Sequence, residues 1–249
     1  MYHQNHNVSR KIKEWEGIES DIVILVIGPI GAGKSTFINA ALDNDKLEVG
    51  HGMSPCTTKP WPVVVDNIPN LDGHRLVLVD TPGFDSTDLS KDDERILKQI
   101  DTWLEKSYPR KVIFGGVLYV HDITNKKFKA ADRRIIERFH RKYGDSAIQN
   151  TILATTNWGP PQPKNGETLE KELKSVHWVT TIEKGAKVHR FLRDSESAWA
   201  IINDLLRRIV EPQSASKGRK KVKVEGIDIR AFLHALRSRT TAPASCVVQ

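Results

Sequence analysis

Residues 28–35 read Gly-Pro-Ile-Gly-Ala-Gly-Lys-Ser, directly after the apolar run 22–27 and directly before a helix-like stretch, 36–42. The pattern G-x-x-x-x-G-K-[ST] in a strand–loop–helix setting leaves few folds open. It marks the first turn of an α/β sheet whose strands point their C-terminal ends at a ligand. Each residue type answers a need of a polyphosphate. Gly28, Gly31, Ala32 and Gly33 let backbone N–H groups turn inward around phosphate oxygens, and Lys34 can reach the β/γ-phosphates. The Ser35 hydroxyl can ligate Mg²⁺, and the helix N-terminus at Thr36 adds positive potential. The competing reading, a plain glycine turn, leaves the flanking strand and helix unexplained.

A second element ends in an aspartate 45 residues after Ser35. Residues 76–79 (LVLV) form a short apolar strand that ends in Asp80-Thr81-Pro82-Gly83. This places a carboxylate at a strand's C-terminal end, where open α/β sheets bind ligands, so Asp80 is a candidate Mg²⁺ partner. Gly83, lacking Cβ, can bring its N–H to a γ-phosphate. Taken alone, D-T-P-G would read equally well as an ordinary turn.

The order GPIGAGKST, a Thr-rich segment, then DTPGF resembles the G domain of the translation-factor-related P-loop GTPases. Within that class the chain is similar to septin-like and immunity-associated GTPases, and most of all to a family of fungal G-domain proteins. The likeness spans roughly residues 20–212; the segments 117–124 (VLYVHDIT) and 151–159 (TILATTNWG) add weaker support. It implies GTP/GDP and Mg²⁺ as ligands, and a homodimer that pairs across the nucleotide face.

The rest of the chain fits a doubly wound, mostly parallel sheet flanked by helices. Strands are expected at 22–27, 61–65, 76–79, 112–120, 151–155 and 188–191. Helices are expected at 36–42, 92–107, 130–143, 168–178 and 196–210. With 249 residues and 39% hydrophobic content, the chain can bury one substantial core. The expected organisation is an N-terminal extension (1–19), the G domain (20–211), a basic linker (212–226), a short amphipathic helix (227–239) and a flexible tail (240–249).

A polar loop, 50–58, lies where a switch segment belongs. A Thr there can close over Mg²⁺ and the γ-phosphate while triphosphate is bound. Family position favours Thr58, with Thr57 as runner-up and a solvent-facing loop threonine as the alternative. With Lys34 and Gly83, Thr58 completes the expected catalytic set, and with Ser35 and Asp80 it completes the metal set. Phe84 stands where Ras-like GTPases carry the water-orienting glutamine, and a phenyl ring cannot orient water by hydrogen bonding. Intrinsic hydrolysis is therefore expected to be slow.

The base-side loop departs from the usual [NT]-K-x-D. Here β-strand residues run into Thr155-Thr156-Asn157-Trp158, so Thr156 replaces the lysine and Trp158 the guanine-pairing aspartate. Trp158 either stacks on a base or plugs the sheet edge. Arg193-Asp194-Ser195-Glu196 is either a last base-side loop or a helix cap. Guanine preference is thus implied by the resemblance and is not legible in these residues. His121, at the end of the fourth strand, either touches a ligand or partner or is a structural histidine. The nine histidines show no paired metal-ligand spacing, which argues against a zinc site.

Two cysteines, Cys56 and Cys246, are too few for a disulfide framework, and the first residues lack the apolar stretch of a signal peptide. A cytoplasmic setting is expected. Residues 211–249 carry eight Lys/Arg against three Asp/Glu, a net +5 of the chain's +7. The chain finishes Cys246-Val247-Val248-Gln249, a C-a-a-X match that favours farnesyl. Lipid plus a basic stretch holds a membrane where one lipid alone does so weakly, giving an expected peripheral membrane association. A free tail and nucleic-acid contact are the alternatives, nucleic acid the less favoured. The functional expectation is a Mg²⁺-dependent, slowly hydrolysing guanine-nucleotide switch or assembly module. A non-hydrolysing nucleotide-dependent membrane scaffold and a P-loop kinase are the alternatives.

Overall fold

The computed structural model describes residues 15–44, 57–65, 73–84, 91–108, 111–125, 148–159 and 164–209, with residues 47, 49, 68, 71, 128, 133, 135–137 and 141 between them. The expectations for 1–14, Cys56, His140, the basic linker, the 227–239 helix and Cys246 lie outside the described residues.

Six strands form one sheet: β1 (Asp21–Ile27), β2 (Trp61–Val65), β3 (Arg75–Asp80), β4 (Ile113–Asp122), β5 (Thr151–Thr156) and β6 (Lys187–Arg190). Their order is β2-β3-β1-β4-β5-β6, and every neighbouring pair is parallel except the edge pair β2–β3. The helices are α1 (Lys34–Leu42), α2 (Lys91–Ser107), α3 (Gly166–Glu172), α4 (Val179–Glu183) and α5 (Ser195–Ile209). Residues 133, 135–137, 141 and 148–149 are also helical.

Side chains of β1 alternate between two cores, as a strand's two-residue period requires. Val23, Leu25 and Ile27 join Ile96, Ile100 and Leu104 of α2 on one face. Ile22, Ile24 and Val26 join Phe37 and Ile38 of α1 and Ile201, Ile202 and Leu205 of α5 on the other. Both faces of the central strands are therefore dry, which explains why they read as unbroken apolar runs.

Strands extend past their apolar stretches where polar side chains find partners. Asp21 opens β1 because its carboxylate is bonded by Arg75, Tyr108 and the Ile18 N–H. β4 runs on to Asp122 because His121 and Asp122 stay in register with Thr155 and Thr156 of β5. The helix expected over 168–178 is broken. After α3 comes a single π turn, Leu173–His177, closed by Trp178 N–H to Leu173 O at 2.7 Å. The extra residue in that turn carries Trp178 into the core, edge-on to Tyr119 at 6.4 Å.

Candidate functional site

The loop between β1 and α1 closes on itself and on β3. Gly28, Gly31 and Gly33 adopt φ values of 150°, 75° and 95°, a region glycine enters without the penalty a Cβ would bring. A Cβ on Gly28 would sit 2.3 Å from Val120 O, so the close passage of this loop over β4 is possible for glycine alone. Lys34 is buried, and its ammonium donates to Gly28 O at 3.2 Å and Pro29 O at 2.9 Å. Burial pushes its pKa down to about 8, against the upward pull of Asp80.

Asp80, at the C-terminal end of β3, is buried and collects two hydroxyls. Ser35 donates to Oδ2 at 2.7 Å and Thr57 to the same oxygen at 2.8 Å. Oδ1 is buried with no hydrogen-bond partner. Burial pushes the carboxyl pKa up, opposed by the Ser35 and Thr57 hydroxyls and the Lys34 charge. Thr57 is thus the threonine that reaches Asp80, whereas Thr58, favoured by family position, is exposed.

The segment after Asp80 is stitched to the loop. Phe84 N–H donates to Gly28 O at 3.1 Å, and Ile30 N–H donates to Phe84 O at 3.3 Å. Gly83 packs against Ile30 so closely that a Cβ would lie 2.7 Å from the Ile30 Cα. The Phe84 ring is buried in the α2-side core. Thr81 donates to Val26 O at 2.8 Å, tying this turn to β1.

On the base side, Thr156 donates to Ala32 O at 2.8 Å, so β5 meets the phosphate loop directly. Trp158 is half-buried; its indole N–H donates to Thr155 Oγ1 at 2.9 Å, and the Arg190 guanidinium lies over its ring at 4.1 Å. Arg190 in turn makes a two-pronged bond to Glu170 of α3, at 3.0 and 2.7 Å. One face of Trp158 is therefore covered by a cation held by an acid. Nothing in the local sequence signals this clamp, because its members come from α3, the loop after β5, and β6. Asn157 takes φ 60° between Thr156 and Trp158. Asp194 caps α5, its Oδ1 accepting Ser197 N–H at 2.7 Å. Of the two readings of that loop, the cap is the one the geometry displays.

His121 is buried beside Phe128 and Trp178, with ring centroids at 5.4 and 6.0 Å, and its Nδ1 has no hydrogen-bond partner. Burial pushes its pKa down to about 4. The site thus brings together Lys34, Ser35, Asp80, Gly83 and Thr57 around one turn, with Thr156 bracing it and Trp158 further along the same strand end.

A solved structure of Toc33 from Arabidopsis thaliana in complex with Mg²⁺ and GMPPNP shares this fold, with a TM-score of 0.55 at 18% identity over 75% of this chain and 82% of that one. So does a solved chain from work on the chloroplast translocon components atToc33 and psToc159, for which dimerization is described as important for the GTPase activity. There the TM-score is 0.51 at 16% identity, over 93% of this chain and 87% of that one. In sequence, the chain is 29% identical over 162 residues to Translocase of chloroplast 126 from Physcomitrium patens, across 64% of this chain. It spans only 13% of that relative's length. A family model described as 50S ribosome-binding GTPase matches residues 23–157, from β1 to Asn157 of the base-side loop. That match takes in more than half of the chain and every element that builds the site except α3, β6 and α5, and by it the chain belongs to this family of P-loop GTPases and carries its G domain.

Proposed function

We propose that the chain is a Mg²⁺-dependent guanine-nucleotide switch that binds GTP and GDP and hydrolyses GTP slowly. One observation carries the reading: Ser35 and Thr57 converge on Asp80 Oδ2 while Asp80 Oδ1 stays buried without a partner. Two hydroxyls and a carboxylate at a strand end are the hard oxygen donors Mg²⁺ takes. Ser35, Asp80 and Thr57 would hold the ion, with Thr58 as the alternative to Thr57. When bound, the ion neutralises charge on the phosphate oxygens.

The chain's own residues supply the rest. Lys34 brings a second positive charge to the loop, and its contacts to Gly28 O and Pro29 O are ones that phosphate oxygens would replace. Gly83 offers its N–H beside Ile30. Phe84, buried, gives a water nothing to bond to, so the orienting group must come from another residue or from a second molecule. Unassisted turnover on the order of 10⁻⁴ to 10⁻² s⁻¹ is expected. A homodimer across the nucleotide face is a natural source of help, in keeping with the dimerization described for the translocon components. The same Phe84 also favours the second reading, a non-hydrolysing nucleotide-dependent scaffold.

The finer assignment, to the septin-like and immunity-associated branch and its fungal members, rests on GPIGAGKST and DTPGF, with weaker support from VLYVHDIT and TILATTNWG. Membrane attachment through the basic stretch and a farnesylated Cys246 is part of the same proposal. Mass spectrometry of the C-terminal peptide from a eukaryotic host tests it, and an unmodified Cys246 would remove it.

The central test is calorimetric titration with GTP, GDP and ATP in Mg²⁺, with Lys34→Ala as the blank. Preference for GTP and GDP, abolished in the variant, is the expected result. Equal affinity for ATP, or no binding, would sink the switch assignment. Phosphate release at the expected rate, against none at all, separates the slow GTPase from the scaffold.

A further inference from the structure

No Asp or Glu occurs from Thr156 to Gly166, so the base-side loop holds no carboxylate of its own. Those that stand by the neighbouring strand ends are engaged. Asp122 Oδ1 accepts the Thr124 N–H at 2.8 Å and the Thr124 hydroxyl at 2.7 Å, Glu170 is held by Arg190, and Asp194 caps α5. The neighbours of Asn157 are committed as well: the Thr156 hydroxyl lies 2.8 Å from Ala32 O, and the Trp158 indole N–H goes to Thr155 Oγ1. Asn157 itself is half-buried at φ 60°, and among the described residues its amide has no hydrogen-bond partner. Phe191 N–H donates to Thr155 O at 2.8 Å, which brings the loop after β6 and the exposed Leu192 alongside. Open α/β sheets bind ligands just outside the C-terminal ends of their strands. Asn157 stands there, one residue beyond the contact with the phosphate loop.

A carboxylate only accepts, so against guanine it pairs with N1–H and the 2-amino group. A carboxamide carries one acceptor and two donors. Its oxygen can take the N1–H while its NH₂ donates to the 6-oxo oxygen, and the 2-amino group is then left unread. Asparagine is also one of the few residues besides glycine that enter the left-handed region readily, so the loop can hold this amide at φ 60°. Resting on the nucleotide-binding reading above, we propose that Asn157 is the specificity-determining residue of this site: its amide reads the N1–H and 6-oxo edge of a purine, so the substrate class is 6-oxopurine nucleotides, hypoxanthine bound as well as guanine.

The test uses the full chain in Mg²⁺ with GDP, IDP and inorganic tripolyphosphate as probes. The wild type should bind GDP and IDP within about twofold of each other, whereas a site that hydrogen-bonds the 2-amino group rejects the analogue lacking it by about tenfold or more. Asn157→Gly removes the amide and keeps the left-handed backbone. It should weaken GDP and IDP by the same factor, about tenfold, and leave tripolyphosphate unchanged. Asn157→Asp supplies a second acceptor for the 2-amino group, and GDP should then outbind IDP by about tenfold, a ratio from which the added charge cancels. A wild-type preference for GDP over IDP of about tenfold or more would overturn the proposal. So would Asn157→Gly with both nucleotides at wild-type strength, Asn157→Gly with tripolyphosphate weakened equally, or Asn157→Asp with an unchanged GDP/IDP ratio. Should thermal melts show Asn157→Gly misfolded, the Asn157→Asp ratio decides. A wild type that binds none of the three, as silent as Lys34→Ala, would instead bring down the nucleotide reading and this proposal with it.

Discussion

Replacing Asp21 by Asn should cost stability and leave nucleotide binding alone. Asp21 opens β1 with no exposed surface, and its carboxylate accepts four hydrogen bonds. Arg75 Nε reaches Oδ1 at 2.7 Å; Arg75 Nη2, the Tyr108 hydroxyl and the Ile18 N–H reach Oδ2 at 2.9, 3.0 and 3.1 Å. Burial and the Asp21 charge hold the Tyr108 phenol well above its usual range. Asn keeps the shape, removes the charge and points an NH₂ at donors. Breaking a buried ion pair costs about 3–5 kcal/mol. The Arg75 side chain is 31% exposed and can rehydrate in part, so the low end, about 3 kcal/mol, applies. For a domain of this size that lowers Tm by about 6–12 °C. Tyr108→Phe, which removes one donor, should cost about 1 kcal/mol. Asp21 lies at the far end of β1 from the phosphate loop, about 20 Å away at ~3.3 Å per residue. GDP affinity measured alongside thermal and urea melts should therefore be unchanged. Melting within about 2 °C of wild type, on the scale of a surface substitution, would refute the reasoning.

His121 and Gly28 give two further expectations. His121, pushed down to about 4 by burial, with Asp122 raising and His177 lowering it, stays neutral in the folded chain while an unfolded His titrates near 6.5. Its contribution is therefore complete above about pH 6.5 and is lost as pH falls toward 4, by about 3 kcal/mol. Urea midpoints at pH 7, 5.5 and 4.5 should fall less steeply in His121→Gln than in the wild type, and parallel slopes would contradict the assignment. Gly28→Ala puts a Cβ 2.3 Å from Val120 O at φ 150°, a backbone clash worth about 2–4 kcal/mol. A lowered Tm together with lost GDP binding is expected, and a wild-type melt would show that the loop has more room than the geometry gives it.

Strand positions were readable because both faces of the central sheet are buried: 22–27 and 76–79 could be little else than dry strands between helices. The phosphate loop was readable for a different reason. Its function needs backbone N–H groups, a lysine and a hydroxyl at fixed offsets, and all of them are local. The passage of the expected 168–178 helix from α3 into a π turn was not readable, since it serves to seat Trp178 against Tyr119 on another element.

The linear sequence by itself determined the chemistry on offer: a glycine-rich turn with Lys34 and Ser35, a strand-end Asp80, a phenylalanine in place of a water-orienting glutamine, and no carboxylate at position 158. Those are properties of residue type and short spacing, and they survive without coordinates. Tertiary structure alone decided which groups act together. It turned Thr57 inward to Asp80 and left Thr58 in solvent, laid Arg190 and Glu170 against Trp158, buried His121, and tied Thr156 to Ala32. Each of these joins residues far apart in the chain or chooses between neighbours of equal chemistry. Such choices are made by which side chain the packed sheet and helices turn toward the site, and no local pattern encodes that direction.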